Sequence, residues 1–150
     1  MNFKLLVSAF SCFLLFSCDD SSQDNSTKEL INLIEVNQNK WEASNINTYT
    51  FTYYAPPNDC PTADVFPAVE ITIVNNIITN LYVVELDETL DLDSHSFPTL
   101  NDIFENMSNS VNDIKGTPSF DDTFGYPINY ETDISDVECD GYSISISSFI

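Results

Sequence analysis

The sequence predicts an α+β domain, with an antiparallel sheet of about five to six strands and two amphipathic helices packed on one face. Three observations lead to this prediction. Several short segments carry an apolar residue at every second position, which is the period of a strand. Two other segments repeat apolar residues every three or four positions, which is the period of a helix. The segments occur in the order helix, three strands, helix, three strands.

The first helix is predicted over about 27–44. Ser26 and Glu29 have the spacing of a capping box, in which the two side chains satisfy free N–H groups at a helix start. The apolar residues that follow recur at helical spacing: Leu30, Leu33, Ile34 and Trp41. This stripe is expected to face the core.

The first strand is predicted over Asn47 to Ala55, in which aromatic side chains on one face alternate with polar ones. Pro56 and Pro57 end it, because proline has no N–H to donate to a neighbouring strand.

A hairpin is predicted next. Its strands run from Val69 to Ile73 and from Ile78 to Leu86, on either side of Asn75-Asn76. Asparagine tolerates positive φ, which favours a tight turn at this pair. The segment from Asp87 to Ser96 is expected to be an acidic loop.

The second helix is predicted to begin at Thr99 and to end at Gly116-Thr117-Pro118. Its apolar residues show the most regular helical spacing in the chain: Leu100, Ile103, Phe104, Met107 and Val111.

The segment from Phe120 to Pro127 is interpreted as a strand, a turn and the start of a partner strand over about 126–132. The last strand is predicted from Tyr142 to Phe149, with one face apolar and the other mostly serine. The serine face is expected to be hydrated.

An apolar segment at the start of the chain predicts a lipoprotein signal peptide. Lys4 precedes an apolar run of about a dozen residues, which is too short for a stable membrane span. Ser17 then lies directly before Cys18, the arrangement required when a signal peptidase cuts before a lipid-bearing cysteine. An ordinary signal peptide cut elsewhere, or a signal anchor, is the alternative. The predicted parts are a signal peptide over 1–17, Cys18 with a flexible acidic tether over 18–25, and a single α+β domain over 26–150.

The lipid attached to Cys18 is expected to include palmitate and to hold the protein in the bacterial envelope, at the periplasmic or surface face of the outer membrane.

The chain has 24 acidic and 4 basic residues, a net charge of −20, and contains no arginine. Such a surface repels phosphate backbones and anionic lipid headgroups, so nucleic acid is excluded as a partner. The charge serves solubility, or it attracts divalent cations or a basic partner.

The four cysteines differ in their expected state. Cys12 lies in the predicted signal peptide and Cys18 carries the lipid, so Cys60 and Cys139 are left as a pair in an oxidising compartment. We expect them to form a disulfide bond, which requires the ends of the first and last strands to lie side by side. Two free thiols or a metal-binding pair are the alternatives.

Several motifs occur together in one order along the chain. They are Lys40-Trp41 with Ile46, Tyr49-x-Phe51-x-Tyr53, Cys60, Val69-x-Ile71, Thr99-x-x-x-Ile103-Phe104 and Gly125-Tyr126-Pro127. This pattern resembles a family of small bacterial envelope proteins, mostly lipoproteins, built on a single domain of unknown function. The resemblance covers about 40–149 and implies an α+β sandwich, an envelope location and no catalytic set. Two cysteines often lie in the first loop of that family, whereas here the second is Cys139.

Two groups of residues are candidate binding sites. Five carboxylates lie close together in the acidic loop and could hold calcium, whose preferred ligands are such oxygens: Glu85, Asp87, Glu88, Asp91 and Asp93. The alternative is a solvated loop. Tyr54, Tyr126 and Tyr130 are the second group, because tyrosines on a sheet face bind peptides or glycans. The alternative for these rings is packing beneath the helices.

Catalysis is not expected. His95 is the one histidine in the sequence, and no nucleophile elbow, phosphate-binding loop or His-Glu-x-x-His motif occurs. We therefore expect a non-catalytic binding module whose partners are other envelope proteins that contact a sheet face or edge. A structural envelope component without a discrete ligand and a calcium-binding lipoprotein are the alternatives, and an enzyme is the least favoured class.

Overall fold

The computed structural model describes residues 21–135 and 137–150. The predicted signal peptide and Cys18 lie outside this range. The elements follow in this order: α1 (Ser21–Ala43), β1 (Tyr49–Tyr54), β2 (Val69–Val74), β3 (Ile77–Val83), β4 (Glu88–Thr89), α2 (Leu100–Asn109), a 3₁₀ turn (Val111–Asp113), β5 (Ile114–Phe120), β6 (Pro127–Asp133) and β7 (Gly141–Ser147).

The strands form one antiparallel sheet of 7 strands in the order β4-β3-β2-β1-β7-β6-β5. The α+β class and the antiparallel pairing are confirmed, but the predicted number of strands is too low. The additional strand, β4, lies inside the predicted acidic loop. Asp87 adopts a positive φ of 52°, which reverses the chain so that Glu88 and Thr89 pair with Val83 and Tyr82. A two-residue strand of this kind has no periodicity for a sequence pattern to reveal.

The core lies between the helices and one face of the sheet. Tyr49 and Phe51 in β1 are buried, and they lie opposite the buried Ile73 and Ile71 of β2. Both helices contact Tyr49, which places them on the same face. The Trp41 ring of α1 meets the Tyr49 ring edge-on at 5.2 Å, and the N–H of Leu100 in α2 donates to the Tyr49 hydroxyl at 3.3 Å.

Helix α1 begins earlier than the sequence predicts. It starts at Ser21, so residues 21–25, which we predicted to be a flexible tether, are helical, and Ser26 does not cap the start. Ile34 and Trp41 are buried and hold the second half of the helix against the core. Once that half is packed, each further residue adds a helical hydrogen bond at little cost, so the helix extends through polar sequence.

Helix α2 begins as predicted. The Thr99 hydroxyl accepts the N–H of Asp102, and the Asp102 carboxylate accepts the N–H of Thr99, which forms a capping box. The helix ends at Asn109 rather than near Gly116, because β5 already begins at Ile114. Gly116 has a φ of 67° where the register of β5 with β6 shifts, and Pro118 is tolerated because β5 is an edge strand.

The predicted hairpin between β2 and β3 is confirmed. Asn75 and Asn76 both have positive φ, at 52° and 63°, as a tight turn between antiparallel strands requires. A second close approach explains Gly125, which lies before β6 with a φ of 81°. A Cβ at this position would come within 2.5 Å of the Asn37 carbonyl oxygen in α1, so only glycine allows the turn to pack on the helix.

The first and last long strands, β1 and β7, are neighbours at the centre of the sheet. Tyr53 lies opposite Ile146, and Thr50 exchanges two backbone hydrogen bonds with Ile150 beyond the end of β7. Cys60 and Cys139 form the predicted disulfide bond, with Cα atoms 4.5 Å apart. The prediction that these strand ends lie side by side is therefore confirmed.

Reduction of the disulfide bond is expected to lower the free energy of unfolding, because the bond joins residues separated by 79 positions and restricts the unfolded chain. Chain-entropy arithmetic gives about 4–5 kcal/mol as an upper figure. Urea unfolding of the mature protein, oxidised and reduced, measures the loss. The double variant Cys60→Ser/Cys139→Ser is the control, since reductant should not change its stability. Equal stability of the oxidised and reduced proteins would contradict the expectation.

Candidate functional site

The face of the sheet opposite the helices, here called the open face, is polar. It carries the side chains that alternate with the core residues. They are Thr50, Thr52 and Tyr54 of β1, Glu70 and Thr72 of β2, Asn129 and Glu131 of β6, and Ser143, Ser145 and Ser147 of β7. Antiparallel pairing places hydroxyl groups next to one another across strands, as at Thr50 and Thr72. The hydrated serine face predicted from the sequence is part of this surface.

Two depressions cross the open face and meet at Tyr54 and Ser145, which line both. The first, of about 540 Å³, extends to Lys115 and Glu131. The second, of about 700 Å³, has Glu85 and exposed apolar side chains in its wall. We call the combined feature the Tyr54 trough. It offers a partner hydroxyl groups, carboxylates and one exposed aromatic ring.

The charge of the trough is mainly negative. Glu85 and Glu131 line its two ends. Lys115 is the basic residue among its described lining residues, and its ammonium group lies 3.4 Å from the Asp133 carboxylate. That ion pair offsets much of the positive charge at this end. The trough therefore favours basic groups on a partner.

The three tyrosines predicted as a binding surface do not form one exposed surface, although Tyr54 and Tyr130 both line the first depression of the trough. Tyr54 is exposed on the open face, whereas Tyr130 is only 8% exposed on the core face. Tyr126 precedes β6 and stacks on Phe149 with ring centroids 4.6 Å apart. Packing beneath the helices, the alternative stated above, describes Tyr126 and Tyr130. Tyr126 lies one residue before β6, which begins at Pro127.

The acidic loop does not bring its carboxylates to one point. The Tyr82 hydroxyl donates to Asp87 at 2.5 Å, and this hydrogen bond raises the pKa of Tyr82. Glu88 belongs to β4, and Asp91 accepts the N–H of Asp93 at 3.0 Å. Asp87 and Asp91 thus bond to neighbouring groups, and no three carboxylates of the loop come close enough to share a cation within the described part of the chain. His95 is exposed, with its Nδ1 3.2 Å from the Asp91 carbonyl oxygen.

Sequence reasoning missed a different acidic cluster. Oxygen atoms of Asp59, Asp133 and Asp140 lie within 4.8 Å of one another, and this is the one such group of three among residues 21–135 and 137–150. Asp59 and Asp140 each adjoin a cysteine of the disulfide bond. Because the disulfide bond between Cys60 and Cys139 was predicted from the sequence, the proximity of Asp59 and Asp140 could have been predicted from it as well.

The cluster is tied to the start of β7. The Asp59 carboxylate accepts the N–H groups of Asp140 and Gly141, each at 3.1 Å. The Ser135 hydroxyl donates to Oδ2 of Asp140 at 2.6 Å, while Oδ1 of Asp140 is buried without a partner among the described residues. Three carboxylates of this kind are chemically compatible with a hard cation such as calcium. Most of their described bonds, however, serve to hold the disulfide region in place.

The fold and these surfaces define an α+β protein built on an antiparallel sheet. Residues 33–150 match the model of a family described as a family of unknown function (DUF6174), and the chain belongs to this family. The comparison with curated proteins gave no match, and neither did the comparison with solved structures. Within the described part of the chain, no helix combines the length and apolar character needed to cross a membrane.

Acid is expected to remove the contribution of Asp59 to stability. Burial alone would raise the pKa of Asp59, but the N–H groups of Asp140, Gly141 and Cys139 outweigh it and lower the pKa below the ordinary 3.8. A carboxylate whose pKa is lowered by folding stabilises the native state above its unfolded pKa, and this stabilisation is lost as pH falls through the folded pKa. The stability difference between the native protein and Asp59→Asn should therefore be largest near neutral pH and shrink in acid.

Thermal unfolding of both proteins between about pH 7 and about pH 2 measures this difference. Asp64→Asn is the control, because this substitution removes the same charge at an exposed position of the same loop. A difference for Asp59→Asn that stays constant with pH would contradict the role assigned to the carboxylate.

Proposed function

We propose that this protein is a lipid-anchored, non-catalytic binding module of the bacterial envelope, and that its open face binds a basic segment of another envelope protein. The observation that carries the proposal is the Tyr54 trough. An exposed tyrosine lies at its centre, carboxylates line its ends, and hydroxyl groups surround the ring. Rings of this kind supply apolar contact area together with a hydrogen bond, which is why tyrosine is common at protein interfaces.

The charge of the whole chain supports a basic partner. At a net charge of −20, the protein attracts positively charged surfaces over several ångströms and repels acidic ones. Glu85 and Glu131 then provide local attraction at the two ends of the trough. Val65 and Leu86 are exposed in the wall of the second depression and provide apolar surface for a partner to cover.

The anchor is supported by the signal-peptide pattern that ends at Cys18. Helix α1 begins at Ser21, a few residues after that cysteine, and from Asn25 onward the first side chain that the helix buries completely is Ile34. The part from Ser21 to Leu30 would span about 14 Å at 1.5 Å per residue. In the anchored protein this helical segment takes the place of the flexible tether that the composition suggested.

A photo-cross-linking residue placed at Tyr54 is expected to capture a partner in intact envelopes. The same residue placed at Val36, which is exposed on α1, is the matched control and should give no specific adduct. Mass mapping should find lysine or arginine in the captured segment. The yield at Tyr54 should fall as salt rises, because screening weakens attraction between exposed charges.

Charge variants test the same surface. Glu85→Gln and Glu131→Gln should lower the yield of the adduct at Tyr54, whereas Glu35→Gln, an exposed position on α1, should not. With a purified partner, Tyr54→Ala is expected to weaken binding by about tenfold or more, as for a central aromatic residue of an interface. Equal adducts from Tyr54 and Val36, or none from either, would instead favour a structural component without a discrete ligand.

Cys18→Ala is expected to abolish incorporation of labelled palmitate and to leave the protein either unprocessed or secreted, because the thiol that takes the lipid is lost. Cys12→Ala is the control, since this cysteine lies within the predicted signal peptide and should leave lipidation intact. Palmitate retained in Cys18→Ala would rule out the proposed anchor. This experiment is independent of the one on the open face.

A further inference from the structure

A second cavity lies between the sheet and helix α2, and it shares Tyr130 and Ile144 with the first depression of the Tyr54 trough. It has a volume of about 310 Å³, is open to solvent, and lies between the C-terminal half of α2 and strands β1, β5, β6 and β7. Its walls include Tyr53, Met107, Ile114, Tyr130 and Ile144, with Tyr142 exposed at its rim. We call it the α2 cleft. Its volume is at the lower end of the range for sites that bind small molecules.

The cleft is neutral in a chain that is strongly acidic. None of the described residues that line it is Asp, Glu, Lys or His. Met107 is 1% exposed and Ile144 is 6% exposed, so the floor of the cleft is apolar core surface. A molecule in the cleft would therefore contact hydrocarbon, and it would not have to bring a charge to balance one on the protein.

Two phenol groups give this apolar cleft its polarity. Tyr53 of β1 and Tyr130 of β6 both line it, and neither hydroxyl has a hydrogen-bond partner among the described residues. Burial raises the pKa of Tyr53, and burial together with the nearby Tyr53 raises the pKa of Tyr130. Both groups therefore remain protonated at neutral pH and can donate hydrogen bonds.

We infer that the α2 cleft is a binding site for a small uncharged molecule that has an apolar or aromatic body and a carbonyl oxygen, which accepts hydrogen bonds from Tyr53 and Tyr130. Apolar walls with a few convergent donors are the usual composition of a small-molecule site. An anionic ligand is disfavoured because no basic side chain lines the cleft and the whole chain is negative. Tyr130 and Ile144 also line the first depression of the Tyr54 trough, whereas Tyr53 and Met107 line the cleft and not the trough. The two proposals are tested with different probes and can fail independently.

Acetophenone is a suitable probe, because it is an uncharged aromatic ketone. Its isostere α-methylstyrene has a carbon–carbon double bond in place of the carbonyl and accepts no comparable hydrogen bond. Titration of the oxidised protein with each probe, followed by methyl NMR, should shift the signals of Met107, Ile114 and Ile144. Shifts confined to methyl groups elsewhere in the protein, or no shifts up to the solubility limit of acetophenone, would overturn the proposal.

Hydroxyl deletions then test the donors. Tyr130→Phe and Tyr53→Phe should each weaken acetophenone binding by about 2- to 10-fold, the usual value of one hydrogen bond, and leave α-methylstyrene binding unchanged. Tyr126→Phe is the matched control, because this half-buried tyrosine lies outside the cleft. Equal effects of the deletions on both probes would overturn the assignment of the two phenols as donors.

A filled cleft provides the last control. Ser110→Leu places a larger apolar side chain at the lining and should weaken the binding of both probes while the remaining NMR spectrum stays native. If that variant does not fold, Asn106→Leu, on the outer turn of α2, serves the same purpose. Unchanged affinity in a folded, filled variant would overturn the location of the site.

Discussion

The structure depends on the antiparallel pairing of β1 with β7 at the centre of the sheet. This pairing joins the first three long strands to the last three, and every other strand contact is made between strands that are neighbours in sequence. The disulfide bond, the hydrogen bonds of Asp59 to residues 140 and 141, and the backbone bonds between Thr50 and Ile150 all reinforce the same junction.

The same pairing builds both proposed sites. Adjacent residues of a strand point to opposite faces, so Tyr53 enters the α2 cleft while Tyr54 enters the trough on the open face. On β7, Ser145 lines the trough and not the cleft, while Ile144 lines the cleft and also borders the first depression of the trough. An antiparallel sheet with helices on one face tolerates this difference in chemistry, because its other face is hydrated. One strand pair thus presents an apolar pocket and a polar, acidic surface.

The excess of carboxylates is accommodated by exposure and by a few specific bonds. Two of the described basic residues bind groups on other elements: Lys40 of α1 donates to the carbonyl oxygen of Asp122, and Lys115 of β5 pairs with Asp133 of the neighbouring strand β6. Backbone N–H groups stabilise Asp59 and Asp102, which hold a loop and a helix start in place. Most of the charge is therefore left on the surface, where it favours basic partners and opposes acidic ones.

The sequence by itself determined the class of the fold, the positions of its main helices and strands, the Asn75-Asn76 turn and the Cys60–Cys139 bond. The helices, strands and turn follow from patterns of a few neighbouring residues. The disulfide bond follows because Cys60 and Cys139 remain once Cys12 and Cys18 are assigned to the signal peptide and the lipid. Only the tertiary structure decided the length of α1, the strand β4, the burial of Tyr126 and Tyr130, and the two cavities. The carboxylates of Asp59, Asp133 and Asp140, like the phenols of Tyr53 and Tyr130, come from distant positions. They meet because strand register brings them together, and register depends on packing of the whole sheet rather than on any one segment.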